Sequence, residues 1–178
     1  MNNDARNHLI TENQHFLKQL ESVLADLQAE TYRHSEGPFA RGGIGKHVRH
    51  VLEFYGALLS GAPVDYDARK RDPELETVPQ AAVERIRDTV VRLHALGSAE
   101  PNGHGADSPL TVICAPGDGT ARATTSTVER ELQFLSSHTV HHLAIIAIIM
   151  QYLGIEVPAE FGVAPSTLAH ERASRNGA

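Results

Sequence analysis

Tryptophan is absent from these 178 residues, and cysteine occurs once, at Cys114. A single thiol excludes an intrachain disulfide and fits a reducing compartment. Alone, it reads as a small buried hydrophobe. Basic charge is also scarce: 16 Lys and Arg against 22 Asp and Glu give a net charge of −6 with histidine neutral. Nucleic-acid and anionic-membrane surfaces need clustered cations, so neither partner is expected. The one local cluster, Arg69-Lys70-Arg71, is flanked by acids. Long apolar runs are missing too. The longest covers 143–150, far short of the roughly 20 residues that cross a bilayer, and the opening MNNDARNHL lacks the apolar segment of a secretory leader. A cytoplasmic location is expected. The chain shows no Gly-rich phosphate loop, no GxSxG nucleophile elbow and no internal repeat.

What the chain has in excess is histidine, eleven of them, in a single domain long enough to bury roughly two thirds of its extended-chain surface. Three interrupt SSHTVHHLAIIAIIMQYL, residues 136–153, which otherwise reads as an apolar core helix. At about 100° per residue, His138 and His142 lie some 40° apart on the stripe that carries Glu131, Phe134, Leu135, Ile145 and Ile149. His141 is offset further, to the other side, and is the weaker candidate, better placed to face a substrate or to support a ligand. Thr139 stands where an HExxH metalloprotease has its general-base Glu, so that chemistry is excluded.

A partner for this pair lies in the helix predicted over 44–60, which the exit signal Gly61-Ala62-Pro63 closes. Its core stripe is Ile44, Val51, Phe54 and Leu58. Within it GKHVRHVLEFY puts His47 and His50 one turn apart, and either could turn inward. Glu53, three residues after His50, could accept a hydrogen bond from a ligand's second ring nitrogen or could be a solvated helix charge. Helices are also predicted over 4–32, 80–96 and 127–153, the last opened by a capping box of Ser126 and Glu129. The segment VDYDARKRDPELETVP reads as a long loop, in which Tyr66, Asp67, Arg69 and Asp72 could line a mouth over the site, a solvated crossover being the plainer reading. A β-hairpin is predicted over 110–125, around PGDGT. The tail, 154–178, should wrap across the helices with Phe161 and Leu168 as anchors. His8, His15, His94, His104 and His170 read as exposed.

Three neutral imidazoles from two facing helices form a set of nitrogen donors that suits zinc first, and also nickel or iron. Three protein ligands leave a coordination position open, which is the catalytic arrangement.

The runs IGKHVRHVLEFYGALLSG and ERELQFLSSHTVHHLAIIAIIMQYLG, with the order of helices between them, resemble the DinB-like, or YfiT-like, superfamily of four-helix-bundle metalloproteins. The likeness covers most of the chain. It implies a mainly α fold, an up-down-down-up four-helix bundle with a small β-hairpin inserted before the last helix. It implies a metal site at one end of that bundle. The family's first ligand is a helix-two histidine followed by a hydrophobic-small-acid run, which His50-Val51-Leu52-Glu53 approximates, with Leu where a small residue is usual. The implied ligands are therefore His50, His138 and His142, with His47 in a supporting role. The resemblance also implies a homodimer and an enzyme acting on a small molecule, by S-transfer with a low-molecular-weight thiol or by hydrolysis. The rival expectation is a non-enzymatic module in which the metal staples the helices and dimerisation is the activity. Residues 143–150 are apolar nearly all round their helix and need a neighbour, either the tail or a second subunit.

Overall fold

Apolar residues recurring at three and four produce four long helices that share one core. In the computed structural model, which describes residues 3–40, 42–61, 63–98, 109–114 and 119–176, these are α1 (Asn3–Ala25), α3 (Ile44–Leu59), α5 (Pro79–Ser98) and α6 (Val128–Tyr152). Shorter helices α2 (Ala29–Arg33), α4 (Pro73–Thr77) and α7 (Pro165–Asn176), a 3₁₀ turn at Gly37–Phe39, and strands β1 (Val64–Asp65), β2 (Leu110–Cys114) and β3 (Arg122–Ser126) complete the described chain. The fold is mainly helical with a small three-stranded sheet. Helix α1 packs on α5 and α6, and α3 packs on the same two. Phe16, Leu17 and Leu20 of α1, Val51, Leu52 and Tyr55 of α3, Ile86 and Leu93 of α5, and Leu132, Leu135 and Ile146 of α6 are buried together. Each large side chain contributes roughly 1.5–3 kcal/mol relative to exposure.

One polar network is embedded in that core. The Tyr55 hydroxyl donates to Asn13 Oδ1 at 2.7 Å and lies 3.0 Å from Thr139 Oγ1, while Asn13 Nδ2 donates to the Leu132 carbonyl at 3.0 Å. Burial raises the Tyr55 phenol above its ordinary value, so it stays protonated and able to donate. These bonds hold α1, α3 and α6 in one register beside His138.

Tertiary contacts overrule the sequence expectation at several places. The first helix ends at Ala25 rather than running to 32, although neither Gly nor Pro marks the break. The chain turns so that Tyr32, in α2, is fully buried with its hydroxyl donating to the Leu75 carbonyl at 2.6 Å. Segment 64–79, expected as loop, contains β1 and α4, the latter capped by Asp72, whose carboxylate accepts from the Glu74 amide at 3.0 Å. The hairpin forms with β2 antiparallel to β3, Leu110 opposite Ser126 and Val112 opposite Thr124, and β1 adds in parallel to β2. Its turn residues 115–118 and His104 lie outside the described residues. Ser126, held in β3, donates to Glu131 at 2.5 Å instead of capping, and Thr127 caps α6 by accepting from the Arg130 amide at 3.2 Å. Cys114, at the end of β2, is exposed rather than buried, and Val112 is the buried residue of that strand.

The tail is more regular than expected. Helix α6 is not the last helix, since α7 follows it. Before α7, Gly162 sits at φ +71°, where a Cβ would come within 2.5 Å of the Ala144 amide nitrogen. The tail thus crosses the backbone of α6 at close range, anchored by buried Phe161, with Leu168 half-buried. Helix α6 is long and apolar enough by length and composition to cross a membrane, a property that core helices share.

Candidate metal centre

Helices α3 and α6 pack face to face and bring two histidine pairs together. His50 Nε2 lies 3.1 Å from His138 Nε2, and His138 Nε2 lies 3.1 Å from His142 Nε2. All three nitrogens fall within 4.8 Å of one another. His50 and His138 are half-buried and His142 is 9 % exposed.

This arrangement cannot be satisfied by hydrogen bonds alone. A ring nitrogen either donates its one proton or accepts at its one lone pair, so His138 Nε2 can make a well-formed bond to only one of its two Nε2 neighbours. A cation among the three would take all the lone pairs at once. With metal–nitrogen bonds of about 2.0–2.1 Å, neighbouring ligand nitrogens stand about 3.0 Å apart on an octahedral face and about 3.3 Å apart on a tetrahedral one. The two spacings of 3.1 Å, from His138 to His50 and to His142, fit either. The lone pairs are also available. Burial, then the charges of the neighbouring histidines and Arg69, hold His50 down at about 4. His138 is held at about 4 by burial, His141 and Arg69. His142 is held at about 3 by burial and by His138, His50 and His47. All three are neutral imidazoles at pH 7. Three close histidines of this kind could hold a metal ion.

The surroundings orient these rings. His142 Nδ1 is 2.9 Å from His47 Nδ1, so with Nε2 committed to an ion His142 would donate from Nδ1 to His47. Phe54 packs against both His50 and His138, with ring centroids 4.6 and 4.3 Å away, and Phe134 stacks on His138 at 5.5 Å. His138 Nδ1 is buried without a hydrogen-bond partner. His141 is exposed and stands outside the cluster.

Among the described residues, the Glu53 carboxylate is engaged by the loop after α3 and not by a histidine ring nitrogen. It accepts from the Asp72 amide at 2.7 Å and pairs with Arg69 Nε at 3.6 Å. The group within reach of His50 Nδ1 is Arg69, at 3.5 Å. Arg69 is half-buried, donates to the Tyr66 carbonyl and lies 4.5 Å over the Phe54 ring. Burial lowers its pKa, with Glu53 opposing that shift. The loop that read by default as a solvated crossover therefore sends a guanidinium into the centre. Tyr66 stacks on Phe54 and donates to buried Glu131 at 2.7 Å, so it is a wall of the site rather than part of its mouth. Sequence spacing could place Arg69 only near the mouth, because its position depends on how a 13-residue connection from α3 to α4 folds back.

Above the histidines lies an open cavity of about 520 Å³. His47, His50 and His142 contribute to its floor, Phe39, Ile145 and Ile149 to its apolar wall, and Lys46, Arg49, Arg69 and Arg71 to its remaining lining. Arg71 is held at φ +52°, a conformation arginine adopts at some cost. The remaining described histidines stay apart from the centre: His8, His15, His94 and His170 are exposed and His34 is half-buried.

No family model matches the chain, and no solved structure matches it. Among curated proteins, the chain is similar to one named FK506-binding protein 5 from Rhizopus delemar, with 36% identity over 110 residues. The match covers 60% of this chain and 27% of that protein, so the chain spans about a quarter of the length of the relative it matches.

Proposed function

We propose that His50, His138 and His142 hold one divalent transition-metal ion and that the chain is a metal-dependent enzyme acting on a small molecule. The observation that carries this reading is the convergence of three neutral histidines, one ring nitrogen from each within 4.8 Å of the others, two of which, His50 and His142, also line an open cavity. A closed structural site would need a fourth protein ligand. Among the described residues, none joins the three histidines. A divalent ion held by three uncharged ligands keeps its full charge and acts as a Lewis acid toward water, a thiol or a carbonyl. The chain's own residues supply the rest: His47 orients His142, Phe54 and Phe134 fix His138, and Arg69 positions charge at the rim. S-transfer involving a low-molecular-weight thiol and hydrolysis are the two reaction variants, and zinc is the first choice of metal, ahead of nickel or iron. The four long helices sharing one core support membership in the DinB-like four-helix bundles, and a cytoplasmic location goes with that reading.

Elemental analysis of untagged protein tests the assignment. About one transition metal per chain is expected, and His138→Ala should abolish it, since each imidazole removed from a three-ligand set leaves only two donors. Metal content unchanged in His138→Ala overturns the ligand set.

A second reading is favoured by one observation. Ile148 and Tyr152 are 61% and 64% exposed on α6, which suits a homodimer interface and, with it, a metal-stapled interaction module. The two readings part over the cavity: an interaction module has no use for an open site.

A further inference from the structure

The chain as a whole is acidic, at −6, yet the ionisable residues lining the cavity at His47, His50 and His142 are histidine, lysine and arginine. Among the described residues none of the lining side chains is a carboxylate. Four cations, Lys46, Arg49, Arg69 and Arg71, therefore surround a space whose floor, on the reading above, carries a dication held by uncharged ligands. Arg49 and Arg69 are partly neutralised from behind. Arg49 pairs with Glu76 at 2.9 Å, and Arg69 pairs with Glu53 at 3.6 Å. Arg49 Nε is buried without a hydrogen-bond partner, while Arg69 Nε faces Glu53 beyond hydrogen-bond distance. Arranging cations around a metal is unfavourable unless something negative enters between them.

We propose that this cavity binds a small molecule bearing an oxyanion, a carboxylate or a phosphate, which Arg69, Arg49, Lys46 and Arg71 engage while a second donor atom of the same molecule reaches the three-histidine centre. The proposal rests on the metal reading for the second contact only. Guanidinium groups match the planar geometry of such acid groups, and hydrogen bonds between opposite charges are about twice as strong as neutral ones. Arg69 is the central residue because it touches both parts of the site, lying 3.5 Å from His50 Nδ1. Its pairing with Glu53 and its place over Phe54 hold the guanidinium there before a ligand arrives. The apolar wall of Phe39, Ile145 and Ile149 would take an uncharged part of the ligand.

The test uses the full chain loaded with Co²⁺, whose visible absorption reports a new thiolate ligand. It is titrated with three thiols of similar size: mercaptoacetate, 2-mercaptoethanol and cysteamine, which are anionic, neutral and cationic. Mercaptoacetate should bind at least about tenfold more tightly than 2-mercaptoethanol, with cysteamine weakest, and the gap should narrow as salt is added. Arg69→Gln should lose most of that preference while cobalt stoichiometry holds, since a guanidinium beside a ligand repels the metal rather than retaining it. Lys46→Gln and Arg71→Gln, at exposed positions, should lower the preference in smaller steps, so the test survives a folding defect in the Arg69 variant. Equal affinity for the three thiols in the unaltered protein overturns the proposal. So does a preference kept in the combined Lys46→Gln, Arg69→Gln and Arg71→Gln variant. A chain that retains no cobalt overturns the metal reading alone. Inorganic phosphate titrated into the metal-free protein then decides the cavity: salt-sensitive binding that Arg69→Gln abolishes upholds it, and no binding overturns it.

Discussion

His142 shows how much one residue carries in this protein. Its Nε2 meets His138 and its Nδ1 meets His47, so both sides of one ring are committed to other imidazoles. That crowding has a pH signature in the metal-free protein. In an unfolded chain these histidines take up protons as pH falls through about 6.5. In the folded chain His50 and His138 wait until about 4 and His142 until about 3. Across that window the unfolded state binds more protons, so folding stability is fully present above about pH 6.5 and declines as pH falls toward the folded values. Thermal melts of chelated protein should show a steady melting temperature from about pH 8 to 7 and a progressive drop between about 6.5 and 4. Replacing His142 by Asn should make that drop shallower. A melting temperature that stays level down to about pH 4 would contradict the neutral, buried cluster.

At the scale of elements, α3 is the helix on which the site depends, since it carries Lys46, His47, Arg49 and His50 and is pinned at its start by α4. The pin is a close approach at Gly45, where a Cβ would meet the Glu76 carbonyl oxygen at 2.0 Å and Tyr32 Cε1 at 2.9 Å. Backbone cannot yield as a flexible side chain can. Gly45→Ala should therefore destabilise the protein by about 1–3 kcal/mol and, by displacing the first turns of α3, weaken metal binding as well. Gly56 lies in the same helix with nothing within 4 Å of its would-be Cβ. Gly56→Ala should leave metal binding alone and stabilise the helix by up to about 1 kcal/mol. Denaturant unfolding with a parallel metal titration distinguishes the two glycines, and equal effects would remove the pin from the account.

At the scale of the whole molecule, the unsatisfied surface is the outer side of α6. The tail covers α6 at Leu143 and Ala144 through Gly162 and Phe161. It leaves Ile148 exposed, and Tyr152, which meets Phe39 edge-on at 5.1 Å, is mostly exposed too. On the homodimer proposal, sedimentation at micromolar concentration should give a dimer, and Ile148→Glu should return it to monomer by placing a charge in an apolar contact. A monomer throughout would leave that face to another use and count against the interaction-module reading.

Periodicity and turn chemistry make the four long helices and the hairpin legible in the sequence, because spacing at three and four and a Gly-Asp-Gly turn are local signals that need no distant partner. The pairing of His138 with His142 was legible for the same reason, being one turn of one helix. The break after Ala25, the cap at Thr127 in place of Ser126 and the helix α7 were not, since each answers to contacts made elsewhere in the chain. The choice between His47 and His50 rested on resemblance until α3 and α6 were set side by side. Only that packing decided that His50 meets His138, that His47 backs His142, and that Glu53 is diverted to Arg69 and the Asp72 amide. The basic lining of the cavity is the clearest case: its four cations come from α3 and the loop after it, and an acidic composition gives no hint that folding gathers them over three neutral imidazoles.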